Sequence, residues 1–199
     1  MMHARAQLIL VWALLSSAPT AARAEGMAEK EVVATASRLA KQIDMPPDKR
    51  ALVGKRLAAV MEEPRFVAKY RGMPIRGVLA YQLGEGGFVV KVKKGHGLAH
   101  LDGDAGDVKL LLKSVTVGAQ IGGSSAWGVG LVLGLTTPHA FGGDYSGGTV
   151  GATMAESGTS MMELTSKQAM DAHKIYLIGT ATGASADAGG GQLSIQVAR

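Results

Sequence analysis

Glycine is so unevenly spread along this chain that it divides the sequence into two textures. Between Glu25 and Arg71 there are two glycines, Gly26 and Gly54, whereas from Gly72 onward there are 26 in 128 residues. A glycine inside a helix costs about 1 kcal/mol relative to alanine, so the first stretch suits helices and the second does not. The glycines follow no three-residue period, which excludes a collagen-like rod. With 199 residues, 47% of them hydrophobic, the chain is long enough for one ordinary domain with its own core.

The first texture carries helical periodicity. In Ala28–Asp44 the apolar positions Val32, Val33, Ala36, Leu39, Ala40 and Ile43 recur at spacings of three and four, which makes one apolar stripe. Pro46 and Pro47 break that helix, and Pro47 suits the first turn of the next. Asp48–Glu63 repeats the pattern with Leu52, Val53, Leu57, Val60 and Met61, and Pro64 ends it. A short third segment, Arg65–Arg71, holds Phe66, Val67 and Tyr70.

The second texture carries period two, the signature of half-buried strands. Phe88, Val90 and Val92 alternate with Val89, Lys91 and Lys93; Val108, Leu110 and Leu112 with Lys109, Leu111 and Lys113; Val115, Val117, Ala119 and Ile121 with Thr116, Gly118 and Gln120. Apolar runs at Val78–Leu83, Val129–Leu135, Ile175–Ile178 and Leu193–Val197 read as further strands, with Thr149–Ala155 and Ser160–Thr165 as weaker ones. Ser166–His173 is a candidate late helix. Few helix-length patterns separate the strands, which favours an antiparallel sheet over repeated strand–helix–strand units. Gly118, Gly122, Gly123, Gly128, Gly130 and Gly134 fall where strand side chains belong and point to the coiling of a small closing barrel. The expected fold is therefore α+β, with N-terminal helices packed on a glycine-rich, antiparallel, barrel-like sheet.

The N-terminus has its own logic. His3 and Arg5 precede an eleven-residue apolar run, Leu8–Ala18, and Ala22-Arg23-Ala24 follows as a small-x-small site. The run is shorter than the roughly 20 residues of a spanning helix and matches a secretory signal peptide. The expected organisation is a signal peptide over 1–24, a helical part over 25–71 and a β-rich part of the same domain over 72–199. The protein is then exported, to the periplasm or outside the cell, and peripheral at a membrane. Cysteine is absent, which removes disulfides, thiolate metal sites and cysteine nucleophiles.

Charge is also segregated. Residues 25–99 hold 14 Lys/Arg against 8 Asp/Glu, while 100–199 hold 5 against 8. A basic first half on an exported chain implies an anionic partner, a lipid surface or an acidic polymer. Aromatic residues make up only 5% of the chain, too few for base-stacking platforms, so nucleic acid is not an expected partner.

Several motifs hold residue types that catalysis or metal binding uses. His96, His100 and Asp102 in HGLAHLD have the i,i+4 spacing of a metal pair only if the segment is helical, and Gly95, Gly97 and Gly103 argue for loop or strand. Glu85 reads as a solvated turn residue. Ser124 and Ser125 lack a nucleophile elbow, and Gly84, Gly86 and Gly87 lack the lysine and helix of a phosphate loop. No catalytic constellation, metal site or cofactor is expected.

The run GVLAYQLGEGGFVVKV (Gly77–Val92) resembles the glycine-punctuated hairpin of the SYLF domain. SVTVGAQIGGSS (Ser114–Ser125) is similar to that family's small-x-Gly-x-Gln-x-Gly strand. Phe141–Ser157, with Gly142, Asp144 and Gly151, and Ile175–Ile195 resemble its later segments, in the family's order. The resemblance implies a β-rich domain with N-terminal helices that binds anionic lipid, phosphoinositides in eukaryotic members, and it implies no catalysis. The expected function is recognition of anionic phospholipid or phosphoinositide-like headgroups at a membrane surface. The alternative is a structural or protein-interaction domain of the cell envelope, with an envelope protein as partner.

For the lipid-facing surface the sequence offers Lys49, Arg50, Lys55 and Arg56 in one helix, followed by Arg65, Lys69 and Arg71. Leu52, Leu57 and Phe66 lie close enough to insert beside them, as in an interfacial amphipathic segment. The competing reading has the apolar stripe packed on the sheet and the cations merely solvated. A second basic set, Lys91, Lys93 and Lys94, is the fallback.

Overall fold

The computed structural model describes residues 26–86, 90–104, 106–117, 125–150, 159–168, 173–181 and 190–198. These form three α-helices followed by eight strands and one 3-10 turn. The helices are α1 (Glu29–Gln42), α2 (Pro47–Glu62) and α3 (Pro64–Lys69). The strands are β1 (Ile75–Gly86), β2 (Val90–Leu101), β3 (Asp107–Val117), β4 (Ser125–Leu133), β5 (Gly143–Thr149), β6 (Ser160–Ser166), β7 (Lys174–Ala181) and β8 (Gly190–Ala198). All pairings are antiparallel and the sheet closes on itself in the order β1-β2-β3-β8-β5-β6-β7-β4. Closure removes the unpaired edges of an open sheet.

The α+β barrel expected from the pattern is thus the fold. The α1 stripe is buried through Val32, Ala36, Leu39 and Ala40, and that of α2 through Val53, Leu57, Val60 and Met61. Helix α1 ends where Asp44 adopts a positive φ of 57°. Met45 N–H then donates to the Ala40 carbonyl at 3.0 Å and Asp44 N–H to that of Lys41 at 3.1 Å, a Schellman arrangement that turns the chain into α2.

Two cores result. One fills the barrel with Leu79, Leu101, Leu110, Leu112, Leu164 and Ile195 among others. The second joins the helices to the outside of β1, β4 and β7 through Val78, Ala80, Val129, Leu131, Tyr176 and Ile178. At one end of the barrel the Tyr145 hydroxyl donates to the Phe141 carbonyl and lies 2.7 Å from Nε2 of His173, which is completely buried.

Two glycines show why the barrel needs them. A Cβ on Gly95 would sit 1.8 Å from the Gln82 carbonyl oxygen, and one on Gly128 would lie 2.5 Å from the Tyr81 hydroxyl. Both mark close approach inside a tightly coiled sheet.

Some segments differ from the sequence pattern. Val108–Lys113 and the start of Val115–Ile121 form one strand, β3, and 118–121 lie outside the described residues. β5 was not legible as a strand, while 151–155 of the Thr149–Ala155 candidate lie outside the described residues. Ser166 ends β6 and Lys167 and Gln168 are not helical, so the described part of Ser166–His173 is not a helix; 169–172 are outside the described residues. Glu85 lies in β1, opposite Lys93, rather than in a turn.

Candidate functional site

Helices α2 and α3 dock through Leu57 and Phe66, two of the candidates for membrane insertion, while Leu52 is half-buried. Leu57 is 0% exposed in the helix–barrel core. Phe66 packs edge-on against Tyr176, with ring centroids 5.1 Å apart, and against Tyr70 at 4.7 Å. The apolar stripe therefore packs on the barrel, because its alternative partner, the outer face of β4 and β7, is itself apolar.

Three of the seven cations of this region, Lys49, Arg56 and Lys69, have a partner among the described residues. Lys49 lies 3.5 Å from Asp48, and the Arg56 guanidinium donates to the Met161 sulfur at 3.2 Å. Lys69 is ion-paired to Glu163, which also accepts from Lys174 and, at 2.6 Å, from the Tyr70 hydroxyl. Burial raises the Glu163 carboxyl, but hydrogen bonds from Lys174, Lys69 and Tyr70 outweigh it and hold the group at about 2. Burial and the bond to Glu163 push the Tyr70 hydroxyl well above its ordinary value. Glu163 thus fastens α3 to β6 and β7. Arg50 is half-buried, and Lys55, Arg65 and Arg71 are exposed. The structure gathers no continuous line of free cations on α2.

The second basic set is divided by the pleat. Lys93 shares a face with Gly95, Gly97, Ala99 and Leu101 and is buried at 9% exposure, so it belongs to the inside of the barrel. The side chain of Lys91 lies outside the described residues. Lys94 points outward and is exposed.

Around Lys94 the register assembles a surface. Lys94 lies directly opposite Lys113, His96 opposite Leu111 and Leu98 opposite Lys109. Leu110 and Leu112 face the core, so Lys109, Leu111 and Lys113 face out, and Leu111 is 53% exposed. Directly opposed side chains in an antiparallel pair have Cβ atoms about 5 Å apart, and like charges there are destabilising. Neither Lys94, Lys109 nor Lys113 has a carboxylate partner among the described residues. Asp107, at the end of this face, is taken by Arg38 of α1 and by His100 Nδ1 at 3.1 Å; the hydrogen bond from Arg38 lowers its carboxyl. Asp144 lies two strands from Lys113, across Ser194.

Lys109, Leu111 and Lys113 were not among the sequence candidates. The signal was present in the alternation of the KLLLK stretch, whose solvent side reads Lys-Leu-Lys. Only the register brings Lys94 beside it.

His96 to Leu101 lie on β2, where four residues span about 13 Å, and Asp102, just beyond the strand, pairs with Arg76 at 2.8 Å. Among the described residues no group of three His, Cys, Asp or Glu is placed to hold a metal ion. No helix among them is long and apolar enough to cross a membrane. The alternation on β3, apolar inward and Lys-Leu-Lys outward, is the reverse of a barrel whose outer face meets lipid chains.

What the fold and surface define is an eight-stranded antiparallel barrel with a helical layer on one side and a basic sheet face on another. Among solved structures the chain is similar to a β-barrel-like, uncharacterized protein of Brucella abortus, at 21% identity and a TM-score of 0.53, over 88% of this chain and 96% of that one. A second, virulence-associated protein VapD of Rhodococcus equi, aligns at 11% identity and a TM-score of 0.36, over 62% of this chain and 99% of that one. No family model matches the sequence, and no curated protein matches it. The first likeness places the fold; the second carries no argument.

Proposed function

We propose that the protein is an exported, non-catalytic domain that binds anionic lipid at a membrane surface, peripherally, through the outer face of β2 and β3. The observation that carries this reading is Leu111, over half exposed and bordered by Lys94, Lys109 and Lys113. Cross-strand lysines with no carboxylate partner among the described residues oppose each other in the free protein and are complementary to a phosphate-rich surface. Each such residue near an anionic membrane is worth on the order of 1 kcal/mol. Leu111 supplies an aliphatic group at the level of the headgroups. The resemblance to the SYLF domain supports the same ligand class. The helical cations Lys49, Arg50, Lys55 and Arg56 take a lesser part in this reading, because their apolar neighbours are buried in the barrel contact.

Sedimentation with vesicles tests it. Vesicles containing anionic lipid should pellet the protein, neutral vesicles should not, and binding should weaken with salt. Lys94→Glu, Lys109→Glu and Lys113→Glu together should abolish pelleting, while the same reversal of Lys49, Arg50, Lys55 and Arg56 should leave most of it. The opposite pattern would return the site to the helices. Indifference to all vesicles, with capture of an envelope protein instead, would favour an interaction domain.

A further inference from the structure

We infer that the groove between the helices and the start of β1 is a binding site for a single-chain zwitterionic phospholipid, separate from the lysine face. Its walls are Met61, Phe66, Val67, Met73, Ile75 and Leu133, which come from α2, α3, the α3–β1 turn, β1 and β4. The ring of Tyr70 adds to them, and its hydroxyl is engaged with Glu163. The groove is open to solvent along its length and offers about 300 Å³, at the lower end of the range for ligand pockets. That is room for one alkyl chain rather than two. Val67 is 50% exposed beside it, so the apolar wall reaches solvent.

Two exposed residues of opposite charge complete the lining, Arg71 and Glu29. Neither forms an ion pair with the other or with any other described residue. A fatty acid would satisfy Arg71 and face Glu29 with a like charge. An amphiphile carrying both a phosphate and an ammonium group satisfies both, the phosphate at Arg71 and the ammonium at Glu29, with its chain along Phe66, Val67 and Met73. A lysophosphatidylethanolamine has that chemistry. The inference stands on the groove alone and does not need the lysine face to bind membranes.

Calorimetric titration of the purified protein with lysophosphatidylethanolamines, below their micelle concentrations, tests it. Affinity should rise about fourfold per added methylene until the groove is filled. It should exceed that for a fatty acid of equal chain length at least tenfold. Arg71→Gln should weaken both ligands, whereas Glu29→Gln should weaken only the zwitterion and so erase the preference. Val67→Asp, at an exposed position the fold tolerates, should weaken binding at least tenfold. Reversal of Lys94, Lys109 and Lys113 should leave the titration unchanged. Binding independent of chain length, or unaltered by Arg71→Gln and Val67→Asp in folded variants, would overturn the site.

Discussion

The barrel has two unlike halves. On β1, β4 and β7, consecutive residues are buried on both faces: Val78 to Tyr81, Val129 to Leu133 and Ile175 to Thr180 are all buried. On β3 burial alternates, with Leu110 and Leu112 inside and Lys109, Leu111 and Lys113 outside. Leu110 and Leu112 line the interior just as Leu79, Val132 and Ile175 do, so the difference between these strands reports what covers the outside. Helices cover the first half, whereas on β3 they reach only the Asp107 end, through Arg38 of α1. A strand covered on both sides reads as a continuous apolar run, and a strand covered on one side alternates.

That contrast predicts opposite consequences for similar substitutions. Leu57→Ala, in the helix–barrel contact, should cost about 3 kcal/mol, while Leu111→Ala on the bare face should change stability by no more than about 0.5 kcal/mol. Chemical denaturation of both variants checks this. Equal losses would mean that the bare face is also a packed one.

A Cβ at Gly95 collides with the backbone of the neighbouring strand, so Gly95→Ala should lose about 1–3 kcal/mol by the same measurement. A neutral result would show that the barrel is less tightly coiled than the close approach of β1 and β2 implies.

The clamp on α3 should yield about 1–2 kcal/mol on Glu163→Gln, through partly exposed charged hydrogen bonds. The effect has a pH signature. The folded carboxyl titrates near 2 against an ordinary value of 4.5, so its contribution is complete above 4.5 and fades as pH falls toward 2. The gap between wild type and Glu163→Gln should narrow over that window. A gap constant from pH 7 to pH 2 would detach Glu163 from the stability of the helical layer.

The smallest effect has the opposite sign. Lys113→Ser removes a like-charge pair across β2 and β3, and should stabilise the free protein by a few tenths of a kcal/mol while weakening binding to anionic vesicles. Such a trade of stability for function is expected of residues kept for binding. A destabilised Lys113→Ser would mean that Lys113 has a structural role.

Much of this architecture could be read from the residues, and the rest failed for identifiable reasons. The stripes of α1 and α2, and the runs or alternation of β1, β3, β4 and β7, carry enough side chains to show their period. β5 does not: in GDYSGGT three of seven positions are glycine and Tyr145 alone anchors the core. Barrel closure rests on the pairing of β5 with β8 and of β1 with β4, which no local pattern encodes. The surface was harder still. Lys93 and Lys94 are adjacent in sequence but face opposite ways, and Lys94 meets Lys113 only through register. Lys69 looked free because Glu163, its counter-charge, lies 94 residues beyond it.

The chain contains no cysteine, so a single engineered thiol reports from one place. The most direct measurement of the central claim is an environment-sensitive fluorophore on Leu111→Cys, compared with the same label on Lys55→Cys, during titration with anionic vesicles. The account predicts a blue shift at 111, reversed by salt, and little change at 55. A shift at 55 with none at 111 would contradict it.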